Sequence, residues 1–211
     1  MKKRFLNIGL LLTMSLAVVN FVSCNRNEPD EPNNPNVIKA ENVTGNPSGV
    51  RTVKAGLWDY DPQTWEGTFE VIAQAPFMNN GFTLNLPENL ADRFLELVTE
   101  DAPGSITISD ENAKWSVGGL RFYAFNSAGE EIGSFEFGNR DNNDKVYYVN
   151  WIYTDRNVTI TGRYSTLEFN MRLRTGWNMM YDFYDEVNRI GSRITQRPAG
   201  VEFQWYFISH Q

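Results

Sequence analysis

Six carboxylates lie in or beside stretches that alternate polar and apolar residues: Glu136, Glu168 and Glu202, then Asp182, Asp185 and Glu186 beyond Trp177. Two acids held a few ångströms apart can cleave a glycosidic bond, one as the acid and the other as base or nucleophile. No compact Glu-x-Asp-x-x-Glu stretch brings them together in sequence, and the polar outer face of a strand accounts for Glu168 and Glu202 without catalysis. Other chemistries lack their parts. Cys24 and His210 are the single Cys and the single His, so no Cys/His zinc site can be assembled and no Cys–His pair is expected. Gly-x-Ser-x-Gly, Gly-x-Gly-x-x-Gly and P-loop patterns are absent. Calcium needs oxygen ligands alone, and Asp141-Asn142-Asn143-Asp144 is the densest oxygen cluster. It lacks the glycine and the trailing glutamate of a calcium loop and reads more simply as a hairpin. The expectation is a protein that is not an enzyme, with no cofactor and no metal.

Aromatic side chains are the stronger signal. Phe, Trp and Tyr make up 14% of the chain. Trp205, Phe203, Tyr147 and Trp151 fall on apolar faces and read as core. The run Trp58-Asp59-Tyr60-Asp61-Pro62-Gln63-Thr64-Trp65 differs, since it joins two strand patterns and sets three rings among acceptors. Rings stacked on sugar faces, with Asp and Gln as hydrogen-bond partners, would make a carbohydrate site from Trp58, Tyr60 and Trp65. Rings folded back as a lid over the end of a sandwich would explain them equally.

The elements that must position these residues are strands. Leu167, Phe169, Met171 and Leu173 alternate with Glu168, Asn170, Arg172 and Arg174. Val201, Phe203, Trp205 and Phe207 do the same, as do Phe69, Val71, Ala73 and Ala75. Further short runs follow at Val50–Trp58, Phe82–Leu86, Ile106–Ile108, Trp115–Asn126, Ile132–Phe137, Lys145–Tyr153, Val158–Arg163, Trp177–Tyr184 and Ile190–Ile194. Clusters such as Asn79-Asn80-Gly81 and Ser127-Ala128-Gly129 mark turns between them. Only Glu88–Val98 has helical spacing, with Leu90, Phe94, Leu97 and Val98 at i, i+4, i+7 and i+8. The fold expected over 37–211 is all-β, an antiparallel β-sandwich or barrel-like domain with one short helix, with a split near 99–104 as the alternative. Val50–Pro87 resembles the transthyretin-like and Ig-like modules of secreted bacterial proteins.

The amino-terminal segment reads as an address. Met1-Lys2-Lys3-Arg4 is basic, Phe5–Val22 is apolar, and Phe21-Val22-Ser23-Cys24 follows. This resembles the lipobox of Bacteroidota-type outer-membrane lipoproteins, although Phe21 and Val22 depart from its Leu-small-small-Cys pattern; an ordinary signal peptide or an uncut anchor is the alternative. The resemblance implies a signal peptide over 1–23, acylation of Cys24 as the first mature residue, and attachment to the lipid bilayer. Residues 25–36 contain no apolar side chain and three prolines, so 24–36 reads as a disordered tether. Glu28, Asp30 and Glu31 resemble the surface-export signal of the same lipoproteins; a solvated linker is the alternative. The implied location is the cell envelope, lipid-anchored in the outer membrane and, on that signal, surface-exposed.

Cutting before Cys24 removes three basic residues and turns the net charge of −7 into −10, a poor match for a phosphate backbone, so no nucleic-acid partner is expected. The function expected is an envelope-tethered lipoprotein whose non-catalytic β-domain binds a glycan or another envelope protein. The alternatives are a pilus-like assembly subunit, since Bacteroidota fimbrial subunits are similar in being lipoproteins with β-sandwich domains, and then a glycan-acting enzyme.

Overall fold

The computed structural model describes residues 36–60, 67–100, 102, 104–116, 118–142 and 144–210, by backbone alone at Tyr60, Asp141 and Asn142. The signal segment, Cys24, most of the tether and Trp65 lie outside the described residues. The first described strand begins at Val37, directly after the proline-rich stretch in sequence. Its strands are β1 (Val37–Ala40), β2 (Thr52–Tyr60), β3 (Gly67–Pro76), β4 (Phe82–Asn85), β5 (Leu95–Leu97), β6 (Ile106–Ile108), β7 (Lys114–Ser116) and β8 (Arg121–Phe125). They continue with β9 (Glu131–Asn142), β10 (Lys145–Thr154), β11 (Val158–Tyr164), β12 (Leu167–Leu173), β13 (Gly176–Asp185), β14 (Ile190–Ile194) and β15 (Gln204–Ser209). The fold is all-β and sandwich-like, as the alternation predicts.

Thirteen of these strands form one curling sheet, ordered β3-β2-β8-β9-β10-β13-β14-β12-β11-β6, with β15 on β9 and with β7, itself paired to β5, on β10. β1 and β4 form a separate antiparallel pair. Among the described residues the terminal strands β3 and β6 do not pair with each other, so the sheet is not a closed barrel. Its concave side and the β1–β4 pair enclose the main core, built on Ile38, Leu57, Leu84, Phe122, Trp151, Tyr181 and Trp205. A second, more aliphatic core gathers Val98, Ile152, Val158, Ile160, Met171, Leu173 and Met180. β10 and β13 separate the two. Trp151 and Tyr153 face the main core while Ile152 faces the second, which is why the last residues of β10 are all buried. A strand covered on both sides loses clean alternation.

The turn between β12 and β13, Arg174-Thr175, is short, yet the two strands diverge. β14 enters the wedge, antiparallel to β13 and parallel to β12 over Leu167–Asn170. This parallel strand pairing, with a parallel bridge between Thr44 and Tyr206, departs from the antiparallel expectation. At the closed end of the wedge the Asn178 amide replaces the missing ladder. It donates to the carbonyls of Arg174 (2.7 Å) and Gly176 (2.9 Å), while its oxygen accepts from the Arg174 N–H at 2.8 Å.

Three local expectations change. The helix over Glu88–Val98 contracts to a single 3-10 turn at Asp92–Phe94, followed at once by β5. Its apolar residues do not share a target: Leu90 and Phe94 enter the main core, Val98 enters the second, and Leu97 is exposed. Pairing of Leu95–Leu97 with β7 then outweighs one helical turn. The run Trp115–Asn126 divides into β7 and β8. In β3 an extra residue bulges opposite Ala55 and Gly56 of β2. A bulge shifts every later side chain to the other face. Ala73 and Ala75 therefore point into the domain, whereas Val71 is exposed and Phe69 joins the outer surface.

Candidate functional site

β9 is twelve residues long, and two strands share one of its edges. β8 pairs with Glu131–Phe135 and β10 with Phe137–Asn142, so β8 and β10 fork apart near Glu136. The throat of the fork is closed by the Leu120 N–H donating to the Trp151 carbonyl at 3.0 Å. On the inner side Phe122 meets Trp151 edge-on, with centroids 5.5 Å apart. On the outer side the fork leaves a groove of about 470 Å3. Arg121 and Tyr123 of β8, Ser134 and Glu136 of β9, Tyr148 and Asn150 of β10, Asp182 of β13 and His210 line it. A second hollow of about 220 Å3 shares Arg121, Asn150 and Asp182 and extends to Trp115 and Arg193. Gly119 makes room beside Asn150, since a Cβ there would stand 3.1 Å from the Asn150 side-chain oxygen.

Four polar groups of the groove, Asp182, Asn150, Glu136 and His210, have partners. Asp182 accepts from the Asn150 amide at 2.7 Å and from Arg193 Nε at 3.0 Å. Burial pushes its carboxyl up from the ordinary value, and Arg193, Asn150 and Arg121 pull it part of the way back. Glu136 pairs with Arg140, whose guanidinium lies between the rings of Tyr148 and Tyr206. His210 Nδ1 sits 3.0 Å from Glu131 Oε1. Tyr148 keeps 39% of its surface exposed and presents a ring at the rim.

Trp58 belongs to the same outer face. Its ring packs at 5.9 Å from Phe69, Phe69 meets Tyr123 edge-on at 4.7 Å, and Tyr123 reaches His210 at 6.3 Å. Phe69 can lie across β2 because Gly56 has no side chain: a Cβ would fall 2.2 Å from the Glu70 carbonyl and 2.6 Å from the Phe69 ring. This aromatic row runs from the β2–β3 hairpin to the groove. Trp58 is half-buried within a strand rather than at a loop tip; Tyr60 ends the same strand, and its ring and Trp65 lie outside the description.

Of the six sequence-selected acids, Glu136 and Asp182 come together in the groove, from strands far apart in sequence. Glu168 is exposed on β12 and Glu202 precedes β15. Asp185 is buried, and the Asn188 backbone and side-chain amides hold its carboxyl below the ordinary value, a turn-stabilising arrangement. Asp144 lies in the β9–β10 connection, its carbonyl accepting from the Glu186 N–H at 2.8 Å. Sequence reasoning missed Arg121, Tyr123, Tyr148 and Asn150. One signal was available: Asn150 and Asp182 each interrupt an apolar and aromatic strand, Val149-Asn150-Trp151 and Tyr181-Asp182-Phe183. Compared with known proteins, the chain matches no family model, no curated protein sequence and no solved structure.

Proposed function

We propose that this chain is a lipid-anchored protein of the bacterial cell envelope whose β-domain binds a glycan in the groove at the β8–β9–β10 fork and catalyses no reaction. The observation that carries the reading is the groove itself. It sets a half-exposed tyrosine ring beside Asn150, Ser134 and Arg121 on a rigid sheet, a flat apolar platform next to directional hydrogen-bonding groups. Glu136 and Asp182, the two acids best placed for hydrolysis, are each engaged by an arginine, which speaks for binding over chemistry. The anchor at Cys24 rests on the sequence.

An envelope protein as ligand is the second reading. Assembly by strand donation is less well supported. β15 pairs with β9 from Gln204 through Ser209, and on its other edge Thr44 exchanges backbone bonds with Trp205 and Phe207 at 2.9 and 2.8 Å. A strand held on both sides has little edge to give away.

Two measurements test the proposal. Full-length protein in detergent should bind oligosaccharides on a glycan array, and Tyr148→Ala should weaken that binding by about tenfold, the loss of one stacking contact of roughly 1.4 kcal/mol. Unchanged binding would move the site elsewhere. Cells fed a labelled fatty acid should label the parent protein and leave Cys24→Ala unlabelled and released from the membrane fraction; equal labelling would end the anchor.

A further inference from the structure

We propose that the glycan in the groove is one stretch of a long linear chain, which runs on from Tyr148 across β13, β14 and β12 to Tyr164 on β11. The inference rests on the glycan-binding reading and sets the length of its ligand.

Among the described residues three aromatic side chains are exposed: Tyr148 (39%), Tyr184 (45%) and Tyr164 (55%). The strand register puts all three on one face. Tyr184 of β13 stands opposite Gly191 of β14, Gly191 opposite Leu167 of β12, and Leu167 opposite Tyr164 of β11. Directly opposed residues share a face of the sheet. Tyr148 of β10 opposes Asp182, two residues before Tyr184, so it belongs to that face one step along the strands.

This face continues the second core and then outruns it. Met180, Met171 and Ile160 are buried, Asp182, Arg193 and Phe169 in the next row are half-buried, and the last row ends in exposed rings. Gly191 keeps the floor low between those rings. A Cβ there would fall 3.1 Å from Leu167 Cδ1 and 3.7 Å from the Tyr184 ring, so Leu167 leans over β14 and joins Tyr184 to Tyr164 in one apolar strip. From β10 to β11 is four strand spacings, about 19 Å along the sheet. Uncovered apolar surface of this kind marks a place of interaction. Continuity selects the occupant: Tyr148 and Asp182 also line the groove, so a glycan seated there meets the strip without a break. Ring faces suit the C–H faces of sugars, and the tyrosine hydroxyls can serve sugar oxygens. A short glycan would use Tyr148 and leave Tyr184 and Tyr164 to water.

Calorimetric titration of the full-length protein in detergent tests this by chain length. The probes are the disaccharide and hexasaccharide of β-1,4-linked glucose, N-acetylglucosamine and mannose, and of any other linear glycan bound on the array. In at least one series the hexasaccharide should bind about tenfold more tightly than the disaccharide, or better. Replacing both outer rings, Tyr164→Ala with Tyr184→Ala, should reduce the hexasaccharide to the disaccharide's affinity. Glu168→Gln, exposed on the opposite face of β12, should preserve the preference. Melting curves of both variants should match the parent. Equal affinity for short and long members, a length preference that survives loss of both rings, or binding of branched glycans alone overturns the extension while leaving the groove a glycan site. Self-association in sedimentation that the double variant abolishes overturns it in favour of a second copy of the chain. Binding of no probe and no array glycan overturns the glycan reading along with it.

Discussion

On β8, β9 and β10, inward and outward side chains stand one residue apart and meet opposite surroundings. Phe122, Phe135 and Trp151 turn inward to a cluster of rings: Trp151 stacks on Trp205 at 5.7 Å, and Phe122 meets Trp205 edge-on at 5.3 Å. Tyr123, Glu136 and Asn150 turn outward to the groove, which is open to water at its rim and partly buried at Asp182. The inner face gains from excluding water and from aromatic pairing, worth about 0.5–1.5 kcal/mol per pair beyond burial. The outer face gains little for stability, because ion pairs near water contribute about 0–1 kcal/mol. The two-residue period of a strand thus lets one sheet hold the domain together and grip a ligand with separate residues. Changes on one side should leave the other nearly untouched.

The largest expected effect lies inside. Trp205 packs against Phe82, Phe122, Phe137 and Trp151, and Trp205→Ala should cost about 3–5 kcal/mol, read as a lower urea midpoint. A cost under 1 kcal/mol would mean that the inner face does not carry the fold. An intermediate effect is expected at Asp182, where the faces compete. A carboxyl whose folded value is raised contributes stability that is full below its unfolded value, 3.8, and is lost as pH rises through the folded one. Asp182→Asn, which cannot ionise, should therefore gain on the parent as pH is raised from 3 towards neutrality. A difference that stays flat with pH would show that Arg193 and Asn150 fully offset the burial. The smallest change should come from Tyr148→Ala, within about 0.5 kcal/mol of the parent in the same denaturation, since the ring stands at the rim. A larger loss would mean that the groove wall is part of the structural core.

The sheet was legible in sequence wherever one face is dry and the other wet. β12 shows this best, with Met171 and Leu173 buried and Glu168, Asn170 and Arg172 exposed. β10 was harder, because Trp151-Ile152-Tyr153-Thr154 is buried on both faces. Short pieces disappeared: Val37-Ile38-Lys39-Ala40 is too brief to show a period, and Leu95–Leu97 was absorbed into a helical spacing whose residues serve two cores. The parallel seat of β14 could not be read, since it depends on β12 and β13 diverging, a contact between distant segments. The site was legible in part. Trp58, Glu136 and Asp182 were singled out by residue type, but the groove that collects the last two arises where β8 and β10 part company on β9, and no local pattern records a fork.

The Thr44 hydroxyl donates to the Trp205 carbonyl across 161 positions of the chain. That link has a consequence in time. The ring cluster lacks its central member until residue 205 has been made, and contacts between such distant segments form slowly. In a chain made amino end first the main core closes late, whereas the second core needs nothing beyond Met180 and can form before it.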